Sequence, residues 1–170
     1  MKTVYIGLGS NLGDRAANLG DARRRMEELE ITITRASSIY ETAPRDVINQ
    51  PWFLNQVVEA ATDCLPRKLM ARLLRIEREM GRRRLIPKGP RSIDLDILLY
   101  GDFIVDAPGL QIPRPLQIPH PRIGERRFVL EPLAELAADL RDPRSGLTVR
   151  QMLAEMADQP VRRWEPAVKA

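Results

Sequence analysis

The sequence has one cysteine, one histidine, few aromatic residues and no long apolar run, and each scarcity removes a class of function. With Cys64 alone there is no internal disulfide, which fits a reducing compartment and a small buried thiol near a turn. With His120 alone a multi-histidine metal centre is excluded. Aromatic residues make up only 5% of the chain, which argues against a sheet built to stack nucleic-acid bases. Apolar runs such as Ile97-Leu98-Leu99-Tyr100 fall far short of the roughly 20 residues that cross a bilayer. The sequence is already polar at Gly9-Ser10-Asn11, so a signal-peptide apolar region has no room, and the chain is expected to stay in the cytoplasm. Internal repeats and low-complexity segments are absent, as is a local motif for a Ser-His-Asp hydrolase.

What is there points to a globular protein with an anionic partner. At 170 residues, 44% hydrophobic and 29% charged, the chain is expected to form a single domain over 1–170 with a sizeable core. The net charge of +4 leaves nucleic acid, nucleotide and acidic metabolite open. Val4, Ile6 and Leu8 alternate with Tyr5, Gly7 and Gly9, a strand with one bulky face and one nearly bare face that something can approach closely. Turn chemistry at 11–14 precedes a helical recurrence of Leu19, Ala22, Met26 and Leu29. Residues 31–42 and 53–62 read as two further strands, separated by a long loop rich in turn residues. Pro66 opens a second helix with Leu69, Met70, Leu73, Ile76 and Met80 on its apolar face, and Gly81 stops it. A strand over 92–99 completes the order strand, helix, strand, strand, helix, strand. That order predicts an α+β fold with a ferredoxin-like βαββαβ core: an antiparallel sheet with both helices on one face, followed by a C-terminal extension.

The chemistry concentrates before and within the last of these strands. A period of two puts Ile93, Leu95 and Ile97 on one face and Ser92, Asp94 and Asp96 on the other, with the two aspartate backbones about 7 Å apart. Two neighbouring carboxylates suit magnesium, which is commonly held by one or two of them together with substrate phosphates and water. Arg82, Arg83, Arg84, Lys88 and Arg91 crowd the adjacent segment among glycines and prolines. Arginines that grip phosphate and carboxylates that hold a metal are complementary halves of a phosphoryl-transfer site. The run from Arg82 to Lys88 is expected to be a mobile lid that closes Arg82 onto bound phosphates after Arg91 has engaged them. Gly-Leu-Gly-Ser-Asn-Leu-Gly over 7–13 matches neither the dinucleotide fingerprint nor the Walker loop, so ordinary turn glycines are favoured there. His120, between Pro119 and Pro121, is open to a structural role or a phosphate contact.

Along roughly residues 3 to 140 the sequence resembles the 6-hydroxymethyl-7,8-dihydropterin pyrophosphokinases of folate biosynthesis. The resemblance is carried by Tyr5 to Gly13, Tyr40-Glu41-Thr42-Ala43-Pro44, Phe53-Leu54-Asn55, Ile76-Glu77 with Gly81-Arg82, Gly89 to Asp96, and Pro119-His120-Pro121 with Arg126 and Phe128. Gly-Pro-Arg-x-x-Asp-x-Asp is its most specific segment. The resemblance implies a monomer in which magnesium-bound ATP gives its pyrophosphoryl unit to the pterin hydroxymethyl group and AMP leaves. It also implies roles: Asp94 and Asp96 as ligands of two magnesium ions and, with Arg82 and Arg91, as the catalytic set; Arg82, Arg84, Arg91, His120 and Arg126 on ATP; and Thr42, Ala43, Arg45, Phe53, Asn55, Asp94 and Phe128 on the pterin. The chain departs from that family at Ala43, often a proline, at Phe53, often carrying a hydroxyl, and at Lys88, aromatic in some members. The rival readings are a non-catalytic RNA-binding module and a regulatory domain that binds a small ligand at a sheet edge.

Overall fold

The alternation of Val4, Ile6 and Leu8 becomes β1 (Lys2–Ser10) at the heart of a sheet in the computed structural model, which describes residues 1–44, 49–81, 91–107, 115–156 and 158–166. β1 is followed by α1 (Arg15–Glu28), β2 (Thr32–Ala36), β3 (Tyr40–Thr42), β4 (Phe53–Thr62), α2 (Pro66–Glu79) and β5 (Asp94–Tyr100). The chain continues through β6 (Val105–Ala107), β7 (Leu116–Ile118), a 3₁₀ turn at Ile123–Glu125, α3 (Arg127–Ala137), α4 (Val149–Ala154) and β8 (Val161–Arg163). Among the described residues the main sheet has six strands in the order β5-β1-β4-β3-β8, with β2 also on β4 and every pairing antiparallel. β6 and β7 form a separate two-stranded ribbon. No described helix is long and apolar enough to cross a membrane.

Local signals account for the helix boundaries. Asp14 caps α1 by accepting the Ala17 amide at 3.1 Å, which satisfies one of the orphan donors of the first turn. α2 begins at Pro66, behind Leu65, which contributes no side-chain cap, and ends before Gly81 at φ 76°, a left-handed conformation that glycine adopts without steric penalty.

The single strand expected over 31–42 is two. Ser37 intervenes, and its backbone amide donates to Val57 O at 2.9 Å while its hydroxyl accepts the Val57 amide at 3.0 Å. The carbonyl of Ser37 takes Gln56 Nε2 at 2.7 Å. A side chain thus replaces the ladder opposite Gln56 and Val57, and β2 and β3 pair with separate halves of β4.

The helices α1 and α2 lie on one face of the sheet, as expected, over Val4, Ile6, Leu8, Leu54, Val58, Leu95 and Ile97. Cys64 belongs to that core at 4% exposure. The extension is more than an appendage: α3 and α4 bring Val129, Leu130, Leu133, Val149 and Met152 onto the opposite face, against Tyr5, Val57, Leu98 and Leu99. That face is closed at the Tyr5 end by a polar cluster. Glu59 accepts from Arg35 Nη2 at 2.6 Å, from Tyr5 Oη at 2.8 Å and from Thr34 Oγ1 at 2.9 Å. These hydrogen bonds, Arg35 foremost, pull the Glu59 carboxyl down to about 2 against the opposing effect of burial.

Candidate active site

The bare face of β1 is the floor of a cavity of about 280 Å³, near the lower end of ligand-binding pockets. Gly7 lies between Val57 of β4 and Asp96 of β5, and Gly9 between Asn55 and Asp94. With strands roughly 4.8 Å apart, the two glycines form a trough between the side chains of the outer strands. Gly7 and Gly9 are therefore strand residues rather than turn residues, whereas Gly13, at φ 72°, is the turn glycine. A Cβ at Gly9 would stand 3.0 Å from Asn55 Oδ1 and 3.7 Å from the Phe53 ring, so Gly9→Ala must displace the amide that closes the trough. Gly9→Ala is expected to weaken binding of the ligand in this trough about tenfold, as read by calorimetry, with only a small change in melting temperature.

Asp94 and Asp96 sit on the cavity side of β5 at intermediate exposure, while Ile93, Leu95 and Ile97 are buried on the helix side. The register shifts between Tyr5 and Ile6, so Leu98 is an extra residue on β5 and also faces the cavity. Arg91 enters beside the pair: its Nη1 donates to Asp94 Oδ2 at 3.0 Å and its guanidinium carbon lies 5.3 Å from the centroid of the Phe53 ring. Its backbone is held by Asn11, whose Oδ1 accepts the Arg91 amide at 2.8 Å and whose own amide donates to Arg91 O at 3.1 Å. Asn11 Nδ2 also donates to Gln50 Oε1 at 2.9 Å and to Pro51 O at 3.0 Å, which ties the end of β1 to two loops.

Across the trough, Asn55 Nδ2 donates to Thr42 Oγ1 at 2.6 Å, so the amide is held with its oxygen turned toward Gly9. Phe53 forms one wall and Phe128 of α3 another, with the Arg126 guanidinium 5.5 Å from the Phe128 ring centroid. His120 also lines the cavity. Its backbone amide donates to Leu98 O at 3.0 Å and its Nδ1 accepts the Arg122 amide at 3.1 Å, which leaves the hydrogen of a neutral imidazole on Nε2.

One cavity thus gathers Asp94, Asp96, Arg91, His120, Arg126, Thr42, Ala43, Phe53, Asn55 and Phe128, all singled out from the sequence. Arg45, Arg82, Arg84 and the lid expected over Arg82 to Lys88 lie outside the described residues. The cavity also takes in Gln50, Gln56, Val57, Arg122 and Val129, which sequence reasoning did not select. Val57 follows Phe53 and Asn55 at a period of two and was legible on that ground, and Val129 is the neighbour of Phe128. Arg122 and Gln50 carried no local signal.

The donor set fits a hard divalent cation. Asp94 and Asp96 supply carboxylate oxygens on a cavity wall, and among the described residues no cluster of three or more His, Cys, Asp or Glu is placed to hold a metal. Two carboxylates whose metal takes its remaining ligands from water and substrate phosphate are the usual magnesium arrangement.

Residues 5–138 match the model of the family described as 7,8-dihydro-6-hydroxymethylpterin-pyrophosphokinase. The chain belongs to this pyrophosphokinase family. It is 38% identical over 167 residues to the 2-amino-4-hydroxy-6-hydroxymethyldihydropteridine pyrophosphokinase of Haemophilus influenzae, covering 98% of this chain and 100% of that one. It is 40% identical over 161 residues to a folic acid synthesis protein of Pneumocystis carinii, covering 95% of this chain and 21% of the relative. The chain therefore spans about a fifth of that longer protein, and 25% of the folate synthesis bifunctional protein of Pisum sativum. The fold matches a crystal structure of Plasmodium falciparum HPPK-DHPS with a TM-score of 0.75 at 16% identity, over 91% of this chain and 45% of the other. The residues lining the cavity, with its two carboxylates, lie wholly within the matched residues 5–138.

Proposed function

We propose that this chain is a 2-amino-4-hydroxy-6-hydroxymethyldihydropteridine pyrophosphokinase, acting as one domain over 1–170, a cytoplasmic monomer whose partners are ATP and 6-hydroxymethyl-7,8-dihydropterin. The observation that carries this reading is the joining, in one cavity, of a carboxylate pair and arginines with two phenylalanine side chains, Phe53 and Phe128. In the reaction the pterin hydroxymethyl oxygen forms a bond to the β-phosphorus of ATP. The bond from that phosphorus to the α–β bridging oxygen breaks, AMP leaves with that oxygen, and the hydroxyl proton is released to solvent.

The residues divide the work by position. Phe53 and Phe128 bury the faces of the pterin, and Asn55 and Thr42 read its polar edge with backbone groups near Ala43, in the manner of sites that are mostly apolar with a few placed polar groups. Asp94 and Asp96 would hold two magnesium ions, which would supply charge neutralisation and alignment of the phosphates. Arg91 reaches from the Phe53 wall to Asp94, at the junction between pterin and triphosphate. His120 offers Nε2–H, and Arg126 a guanidinium, to phosphate oxygens. Arg82 and Arg84 join them from outside the described residues.

An RNA-binding module would need an open sheet face on which bases stack. Here α3 and α4 cover that face, which favours a small ligand enclosed between helix and sheet. The decisive experiment is AMP formation from magnesium-ATP, which should depend strictly on added hydroxymethyldihydropterin; pterin-independent or absent AMP release would overturn the proposal. Phe128→Ala should raise the pterin dissociation constant at least about tenfold and change nucleotide affinity less, since the ring walls the pterin site and touches the nucleotide side through the Arg126 guanidinium 5.5 Å from its centroid. Equal losses for the two ligands would point to general misfolding.

A further inference from the structure

The chain after α4 returns past two elements of the site, α3, which carries Phe128, and β3, which carries Thr42. Asp158 and Gln159 lie against the start of α3: the Arg127 amide donates to Gln159 Oε1 at 3.1 Å, Gln159 Nε2 donates to Glu125 O at 3.1 Å, and Arg127 Nη1 donates to Asp158 Oδ1 at 2.6 Å. Immediately beyond, β8 pairs with β3 in the register Thr42 to Val161, Glu41 to Arg162 and Tyr40 to Arg163. Trp164 N adds a bond to Ile39 O at 2.8 Å.

The two attachments secure different elements. The N-cap residue of α3, Arg126, makes no side-chain cap bond, so the first turn lacks the local cap that a Ser, Thr or Asp would provide. Gln159 does that work from 32 residues away, and Phe128 is the second residue of the turn it caps. On β3, Glu41 is 9% exposed and accepts Arg162 Nε at 3.1 Å and Arg15 Nη1 at 2.9 Å; the Arg162 guanidinium carbon also lies 5.4 Å from the Trp52 ring centroid. Thr42, which receives the Asn55 amide, is the next residue. A third tie joins the elements directly, as Arg163 Nη2 donates to Glu135 of α3 at 3.0 Å.

We propose that residues 158–164 form a strap that holds the Phe128 wall and the Thr42 wall at the spacing the pterin requires, with Gln159 and Arg162 as positioning residues. This rests on the pyrophosphokinase reading above. The strap lies beyond residue 138, where the family match ends. The strand order β5-β1-β4-β3-β8 puts it at the edge opposite the Asp94 and Asp96 strand. Its loss should accordingly weaken the pterin more than the nucleotide.

The test uses the full chain with Gln159→Ala, Arg162→Ala and Gln159→Glu. Calorimetry should show the pterin dissociation constant raised about fivefold in each alanine variant, through a lost helix cap in Gln159→Ala and a lost donor to Glu41 in Arg162→Ala, and the constant for a non-hydrolysable magnesium-nucleotide analogue changed by no more than about twofold. Gln159→Glu keeps an acceptor for the Arg127 amide but loses the donor to Glu125 O, so it should restore part of the pterin affinity lost in Gln159→Ala. In the ligand-free chain, the Arg127 and Phe128 amides should exchange hydrogen faster in Gln159→Ala than in the parent. Parental pterin affinity in both alanine variants, or equal weakening of both ligands, overturns the strap. Failure of the unsubstituted chain to bind the pterin refutes the pyrophosphokinase reading instead, and unchanged exchange at Arg127 and Phe128 then overturns the strap by itself.

Discussion

Asp96→Asn is expected to lower turnover by about 1,000-fold or more while the protein stays folded. The substitution keeps the volume of a side chain on a partly exposed cavity wall and leaves the buried side of β5, Leu95 and Ile97, untouched, so the core is not disturbed. What it removes is the negative charge that suits this position to a divalent cation, an effect worth several kcal/mol at the transition state, with each factor of ten in rate corresponding to about 1.4 kcal/mol. Asp94→Asn should match this loss in turnover and add a second defect. Asp94 Oδ2 also accepts from Arg91 Nη1 at 3.0 Å, so losing its charge loosens the arginine and should raise the nucleotide dissociation constant more than Asp96→Asn does. Steady-state kinetics with circular dichroism checks both variants, and rates within tenfold of the parent for the pair would rule out the metal-holding role.

Arg91→Ala should cost roughly 100- to 1,000-fold in turnover, the range found on removing one well-placed charge-stabilising donor. The effect is expected at the upper end because Arg91 is held from three directions. Asn11 fixes its backbone, Asp94 its guanidinium, and Phe53 lies under that guanidinium, with 14% of the side chain exposed. Little freedom is left to freeze when a phosphate arrives. Arg91→Lys should recover no more than about tenfold of the loss, since an ammonium lacks the planar fork that meets a carboxylate and a phosphate together and does not stack on Phe53 in the same way. Parental kinetics in Arg91→Lys would show that only the charge matters there.

The glycine and aspartate part of this site was legible because it depends on local rules, whereas Thr42, Ala43, Phe53, Asn55, Arg126 and Phe128 were named through the family resemblance. Alternation in 4–9 and 92–97 stated which residues share a face, and the faces are as expected: glycines and aspartates toward the cavity, aliphatic residues toward α1 and α2. Pro66 and Gly81 bracket α2 because their backbone preferences act at their own positions. The split between β2 and β3 was not legible, since Ser37 interrupts the strand only by bonding to Val57, twenty residues away. Arg122 and Gln50 were missed for a related reason: nothing near them in the chain distinguishes them from surface residues until the fold brings them to the cavity.

By itself the sequence determined the composition of the two faces of β1 and β5, the ends of α2, and the presence of a carboxylate pair beside an arginine-rich segment. Those features follow from side-chain period and backbone preference over a few residues. Only the tertiary structure decided that β1 lies between β4 and β5, which sets Gly7 and Gly9 opposite Asp96 and Asp94, that α3 roofs the trough with Phe128, and that the tail returns to cap α3 and extend the sheet. Alternation assigns a residue to a face but not a strand to a neighbour. Neighbours are chosen by the summed burial and hydrogen bonding of segments far apart in the chain, here β1 with β5 and β3 with β8.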